Sequence, residues 1–85
     1  MIIKYSKKSL KFLNKLDKKS VARIRKAIYG LTLTPPEGDI KALQGYSDGK
    51  MRLRIGDWRI IYRYIHEEIE ILSVLEIGNR GDIYK

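Results

Sequence analysis

The chain has 85 residues, a net charge of +8 and no cysteine. That length fits one domain, residues 1–85, built on a single modest core. Without cysteine there is no disulfide framework and no Cys-based metal site, which fits a reducing compartment. No apolar run approaches the ~20 residues that span a bilayer, and the opening MIIKYSKK lacks the apolar segment of a signal peptide. The expected location is therefore cytoplasmic. The charge is uneven: residues 1–34 hold ten Lys or Arg and one acid, Asp17. Such a field attracts nucleic acid or an acidic protein and speeds association.

Residues 1–5 read as a short strand, and Ser6 can cap the helix that follows. Leu10, Leu13 and Leu16 fall on one helical stripe with Phe12 at its edge, while Lys7, Lys8, Lys11 and Lys15 face elsewhere. Asp17 breaks that helix or caps the next. Val21, Ile24, Ala27, Ile28 and Leu31 form a second stripe, ringed by Lys18, Lys19, Arg23, Arg25 and Lys26. Gly30 weakens this second helix near its end, and Pro35-Pro36 stops it. A basic amphipathic helix can lie on lipid, but stripes that cover a sheet need no membrane. Residues 37–49 read as a polar loop anchored by Ile40 and Leu43, with Lys41 in solvent.

The stretch KMRLRIGDWRIIYRY, residues 50–64, alternates as two strands around Gly56-Asp57, with Gly first as a II′ turn prefers. That turn sets Ile55 opposite Trp58, Leu53 opposite Ile60 and Met51 opposite Tyr62, giving one apolar side. The reverse side then carries Arg54 opposite Arg59, Arg52 opposite Ile61 and Lys50 opposite Arg63. Like charges set opposite one another cost stability, a cost more readily accepted where a polyanion sits across them. The plainer reading is a solvated charged face.

A second turn at Glu67-Glu68 would pair Tyr64 with Ile71, Ile60 with Leu75 and Trp58 with Ile77. Leu72 and Val74 would then join Ile61 on the charged side, and Glu76 would face Arg59. An apolar strip flanked by arginines suggests a surface covered by a partner, or by the chain's own end, residues 78–85. From there Arg80 and Tyr84 can fold back over the arginines. The order is strand, helix, helix, three strands: an α+β domain, with an antiparallel sheet packed on two antiparallel N-terminal helices.

The sequence excludes several chemistries. The one histidine, His66, sits at a turn. No Gly-rich phosphate loop opens a helix, and no acidic cluster has metal-ligand spacing. RNA remains a workable substrate, because its 2′-hydroxyl is a built-in nucleophile. The protein must then supply in-line geometry and positive charge. Arginine forks hold phosphate oxygens, and a lysine set among cations can act as a base. Basic residues with aromatics also describe a passive RNA-binding module.

The pieces KALQG at 41–45, KMRLRIGDWRIIY at 50–62 and IGNRGDIY at 77–84, in this order, resemble the RelE/ParE superfamily of toxins. The resemblance implies the toxin of a toxin–antitoxin pair, with a cognate antitoxin, the ribosome and its rRNA, and mRNA as partners. It implies metal-independent cleavage of mRNA in the ribosomal A site by the 2′-hydroxyl, with no cofactor. By resemblance, Lys50 is the base or transition-state cation. Arg52, Arg59 and Arg80 hold the phosphate, and Tyr84 stacks on a base. Arg54, Arg63, Lys7, Lys11, Lys18 and Arg23 would bind RNA. Asn79 stands where many relatives carry His, and Arg52 where some carry Lys. Glu76 would orient Arg59 or act as a base. A ParE-like toxin that poisons gyrase and lacks a nuclease site is the alternative within the superfamily.

Overall fold

Ser6 ends the first strand and starts the first helix, and much of the packing follows from it. In this computed structural model, which describes residues 1–43 and 49–79, strand β1 is Ile2–Tyr5 and helix α1 is Lys7–Asn14. The Ser6 hydroxyl accepts from the Ser9 amide at 3.0 Å, as an N-cap does. It also donates to the Leu75 carbonyl at 2.8 Å, fastening the start of α1 to the last strand. Helix α2, Lys18–Gly30, is capped in turn by Asp17, whose carboxylate accepts from the Ser20 amide at 3.3 Å and the Ser20 hydroxyl at 2.6 Å.

The second expected stripe is the one observed. Ile24 and Ile28 have no exposure, Leu31 is buried, and Val21 and Ala27 pack at the core's edge. The first stripe is rotated. Leu13 is buried, Phe12 and Leu16 pack against the core, but Leu10 stays 42% exposed and Ser9 is buried in its stead. The hydroxyls of Ser6 and Ser9 explain this: both address carbonyls of the last strand, so they set which side of α1 meets the sheet.

The strands after the helices are β2, Asp39–Ala42; β3, Met51–Ile55; β4, Trp58–Ile65; and β5, Ile71–Asn79. They form one five-stranded sheet in the order β1-β5-β4-β3-β2. β1 lies parallel to β5, and the other pairs are antiparallel. Strand β2 was expected as loop. Its four residues lack the apolar alternation that marks a strand, and only Ile40 turns inward, opposite Leu53. Gly38, at φ +131°, leads the chain onto that edge, where a Cβ would come within 2.5 Å of Leu53 Cδ1.

The β3–β4 hairpin has the expected register: Met51↔Tyr62, Leu53↔Ile60, Arg54↔Arg59 and Ile55↔Trp58. Gly56 takes φ +53° and no other turn residue is left-handed, as a II′ turn requires. The β4–β5 register differs from expectation. The pairs are Ile65↔Ile71, Tyr64↔Leu72 and Tyr62↔Val74, then, after a bulge, Ile61↔Glu76 and Ile60↔Ile77. The turn is longer than Glu67-Glu68 because β4 runs on to Ile65 and β5 begins only at Ile71. Leu72 and Val74 therefore lie in the core with no exposure, not on the charged side. Glu76 faces Ile61, not Arg59.

The helices cover one face of the sheet. Leu13, Ile24, Ile28 and Leu31 meet Leu53, Ile60, Tyr62, Leu72, Val74 and Ile77 in a single core. Each such side chain contributes about 1.5–3 kcal/mol through burial. Tyr64 donates to the Leu31 carbonyl at 2.8 Å, closing the end of α2 onto β4. No helix among the described residues is long and apolar enough to cross a membrane.

Candidate functional site

Alternation sends every second residue to the opposite face, and on the central strands those residues are cations. β3 supplies Arg52 and Arg54, with Lys50 just before it, and β4 supplies Arg59 and Arg63. Register sets Arg54 beside Arg59 and Arg52 beside Ile61. These five positions lie on one face, opposite the core, and no helix among the described residues packs on it. The grouping of Lys50, Arg52, Arg54, Arg59 and Arg63 is that expected from the hairpin.

The structure adds a carboxylate that the sequence reading did not place there. Asp39 on β2 lies across from Arg54. Its carboxylate accepts from Arg54 Nε at 2.9 Å and from Arg52 at 3.4 Å. The repulsion between Arg54 and Arg59 is thus relieved from the edge. The two arginines are not equivalent. Arg52 is buried, 7% exposed, with its Nε lacking an acceptor, whereas Arg54 is half-buried. A buried guanidinium is tolerable because Asp39 sits beside it. Arg52 is thus recessed beneath this face, while Lys50, Arg54, Arg59 and Arg63 keep part of their surface exposed. Nothing in the sequence of residues 37–49 signals a strand that would turn Asp39 toward the arginines.

Beside this row the face is concave. A cavity of about 350 Å³ is lined by Lys8, Lys50, Ile61, Arg63, Leu75 and Glu76. Its base is apolar and its rim charged, a lining suited to a ribose or base carrying a phosphate. Two of these residues arrive through the bulge in β5. Strict alternation from Val74 would send Glu76 into the core, but the irregularity near Tyr62 and Val74 re-aims it outward and leaves Ile77 inward. Lys8, from the first turn of α1, meets Glu76 Oε1 at 2.7 Å. Lys8 is missing from the expected site because only the docking of α1 on β5 brings it there.

The other expected residues are spread out. Lys7, Lys11 and Lys18 are exposed on the helices, and none lines the cavity. Arg23 on α2 lies over the Trp58 ring, 5.8 Å from its centre, and against Gly56. It belongs to the hairpin tip rather than to the arginine row. Arg80 and Tyr84 lie outside the described residues. His66 is exposed beside Glu70, with its ring stacked 6.4 Å from Tyr64, far along β4 from Arg59. Tyr62 belongs to the core face; burial raises its hydroxyl well above the ordinary tyrosine range, with Tyr64 adding to the rise, and keeps it neutral.

A family model described as the ParE toxin of the type II toxin–antitoxin system, parDE, matches residues 3–84, a span that includes Arg80 and Tyr84. No curated protein matches the chain. Among solved structures it is similar to a chain of the toxin–antitoxin complex RelBE2 from Mycobacterium tuberculosis. There the TM-score is 0.72 and the identity 23%, covering 93% of this chain and 96% of that one. It is also similar to a chain of the RelB–RelE complex from Methanococcus jannaschii (TM-score 0.69, 23% identity, 94% and 93% covered). The isolated E. coli RelE toxin gives a TM-score of 0.69 at 24% identity, with 98% and 89% covered. These likenesses confirm the fold; the family model, spanning nearly the whole sequence, shows that the chain belongs to the ParE toxin family of type II toxin–antitoxin systems, within the RelE/ParE superfamily.

Proposed function

We propose that this toxin is a metal-independent endoribonuclease that cuts mRNA in the ribosomal A site. The observation that carries the reading is the set Lys50, Arg52, Arg54, Arg59 and Arg63 on one sheet face, beside a cavity of nucleotide size. In-line attack by a 2′-hydroxyl builds negative charge on the phosphate, and preorganised cations stabilise that charge without reorganising. Arg59 and Arg54 present planar forks suited to phosphate oxygens. Arg52 adds its charge from beneath, and Lys50 lines the cavity with Lys8 and Arg63. Arg80 would grip the phosphate from the C-terminal end, and Tyr84 would stack on a base. Lys7, Lys11, Lys18 and Arg23 would hold ribosomal RNA, as exposed basic side chains do without sequence preference. A cognate antitoxin is the regulatory partner, a role supported by relatives solved as RelBE toxin–antitoxin complexes.

The test is purified protein with ribosomes programmed by a defined mRNA, followed by mapping of the mRNA ends. Cuts within A-site codons, absent when ribosomes are omitted, are expected. A second reading is favoured by the description of the family model, which names the ParE branch. In that case gyrase supercoiling would be inhibited and the mRNA would stay intact.

A further inference from the structure

We infer that Glu76 is the proton acceptor of this site, delivered to it by the β5 bulge and oriented by Lys8; the inference rests on the nuclease reading above. Three features converge on this residue. First, the bulge exchanges the direction of Glu76: it lines the cavity with Lys50 and Arg63 instead of entering the core behind Val74. Bulges recur where a strand must re-aim a functional side chain. Second, the bulge is held from outside the sheet. The Ser6 amide donates to the Val74 carbonyl at 2.9 Å and the Ser6 hydroxyl to the Leu75 carbonyl at 2.8 Å. Third, the same helical turn supplies Lys8, which fixes Glu76 Oε1 at 2.7 Å. One oxygen so engaged leaves the carboxylate able to accept further hydrogen bonds.

Spacing fits the role. Arg52, Ile61 and Glu76 are successive cross-strand neighbours. At about 4.8 Å per strand, Arg52 and Glu76 stand roughly 10 Å apart with Ile61 between them. A phosphodiester lying over Ile61 would have guanidinium charge on one side and a carboxylate on the other. Asp39 is spent on Arg52 and Arg54. Among the described residues, Glu76 is the carboxylate that lines the cavity.

The 2′-hydroxyl gives its proton to the Glu76 carboxylate as the O2′–P bond forms. The P–O5′ bond breaks, and its electron pair stays on the 5′ oxygen, which takes a proton from the Lys50 ammonium. The products are a 2′,3′-cyclic phosphate and a 5′-hydroxyl end. Proton exchange with water restores both side chains.

The experiment compares wild type with Glu76→Gln on ribosomes carrying a defined mRNA, under single-turnover conditions across pH. The expected result is a rate lower by about 100-fold or more in the variant, loss of the acidic limb of the pH–rate profile, and unchanged affinity for ribosomes. Chemical rescue is a second measurement: formate should restore part of the rate to Glu76→Ala, which a purely structural carboxylate would not allow. If wild type cuts while Glu76→Gln keeps its rate within about threefold and its pH profile, Glu76 is not the acceptor and the nuclease reading stands. If wild type leaves the mRNA whole, both fall together. If Glu76→Gln melts early, the formate result decides, and absence of rescue overturns the assignment.

Discussion

The two faces of the sheet are built from alternate residues of the same strands, yet they obey different rules. On the helix side, Ile60 and Tyr62 have no exposure and belong to the common core. On the reverse side, Ile61 is nearly as buried, 5% exposed, but stands among Lys50, Arg63 and Glu76 and shares no core contact with Ile60. Burial alone therefore does not tell a core residue from a cavity-lining one; its neighbours do. One face stabilises the fold, and the other carries the charge.

Substitutions at neighbouring positions can break that contrast. Ile60→Ala should be the most damaging to stability, costing about 2–5 kcal/mol through a cavity that the packed helices cannot fill. Ile61→Ala should cost only about 1 kcal/mol, because Ile61 lines an open cavity and lies outside the common core. Chemical denaturation of both variants measures the difference; equal losses would mean that the two faces are one core. Arg59→Ala should do the reverse. On the proposed nuclease reading, ribosome-dependent cleavage should fall about 100-fold, with the melting temperature little changed, and a variant cutting at the wild-type rate would remove Arg59 from the site.

Smaller effects sharpen the same division. Asp39→Asn should destabilise by about 1–2 kcal/mol, less than a fully buried pair would, since Asp39 is half exposed while Arg52 is not. On the proposed nuclease reading the same variant should slow cleavage severalfold by releasing Arg54, and Asp39→Glu should recover part of both. The least effect concerns the helical layer. Hydrogen bonds from Ser20 hold the Asp17 carboxyl below its ordinary value of 3.8. Folding thus favours the charged form, so this contribution is complete above pH 3.8 and fades as pH falls through the lowered value. Asp17→Asn should flatten the acid dependence of α2 helicity in circular dichroism, and an unchanged acid transition would mean that the cap contributes nothing.

The β3–β4 hairpin was legible because its turn is two residues long and chemically specific. Gly56 alone needs a left-handed backbone, and once it is placed every pair from Met51↔Tyr62 to Ile55↔Trp58 follows. The β4–β5 connection offered no such marker. His66–Glu70 contains neither Gly nor Pro, so the length of the turn was open, and a bulge cannot be read from alternation that it interrupts. Strand β2 escaped notice for a related reason: as an edge strand, with only Ile40 turned inward, it has no pattern to show.

Sequence alone determined the two-helix layer, the apolar and cationic sides of the central hairpin, and the family to which KMRLRIGDWRIIY belongs. These depend on local periodicity and turn chemistry, which the chain carries in its order of residues. Tertiary structure decided that Asp39 joins the cations and that Glu76, expected opposite Arg59, faces Ile61 and meets Lys8 instead. Asp39 reaches Arg52 and Arg54 only because an edge strand pairs with β3, and Glu76 reaches the cavity only because α1 clamps a bulge in β5. The first spans 13–15 residues and the second nearly the whole chain, and both are set by where whole elements dock rather than by the residues beside them.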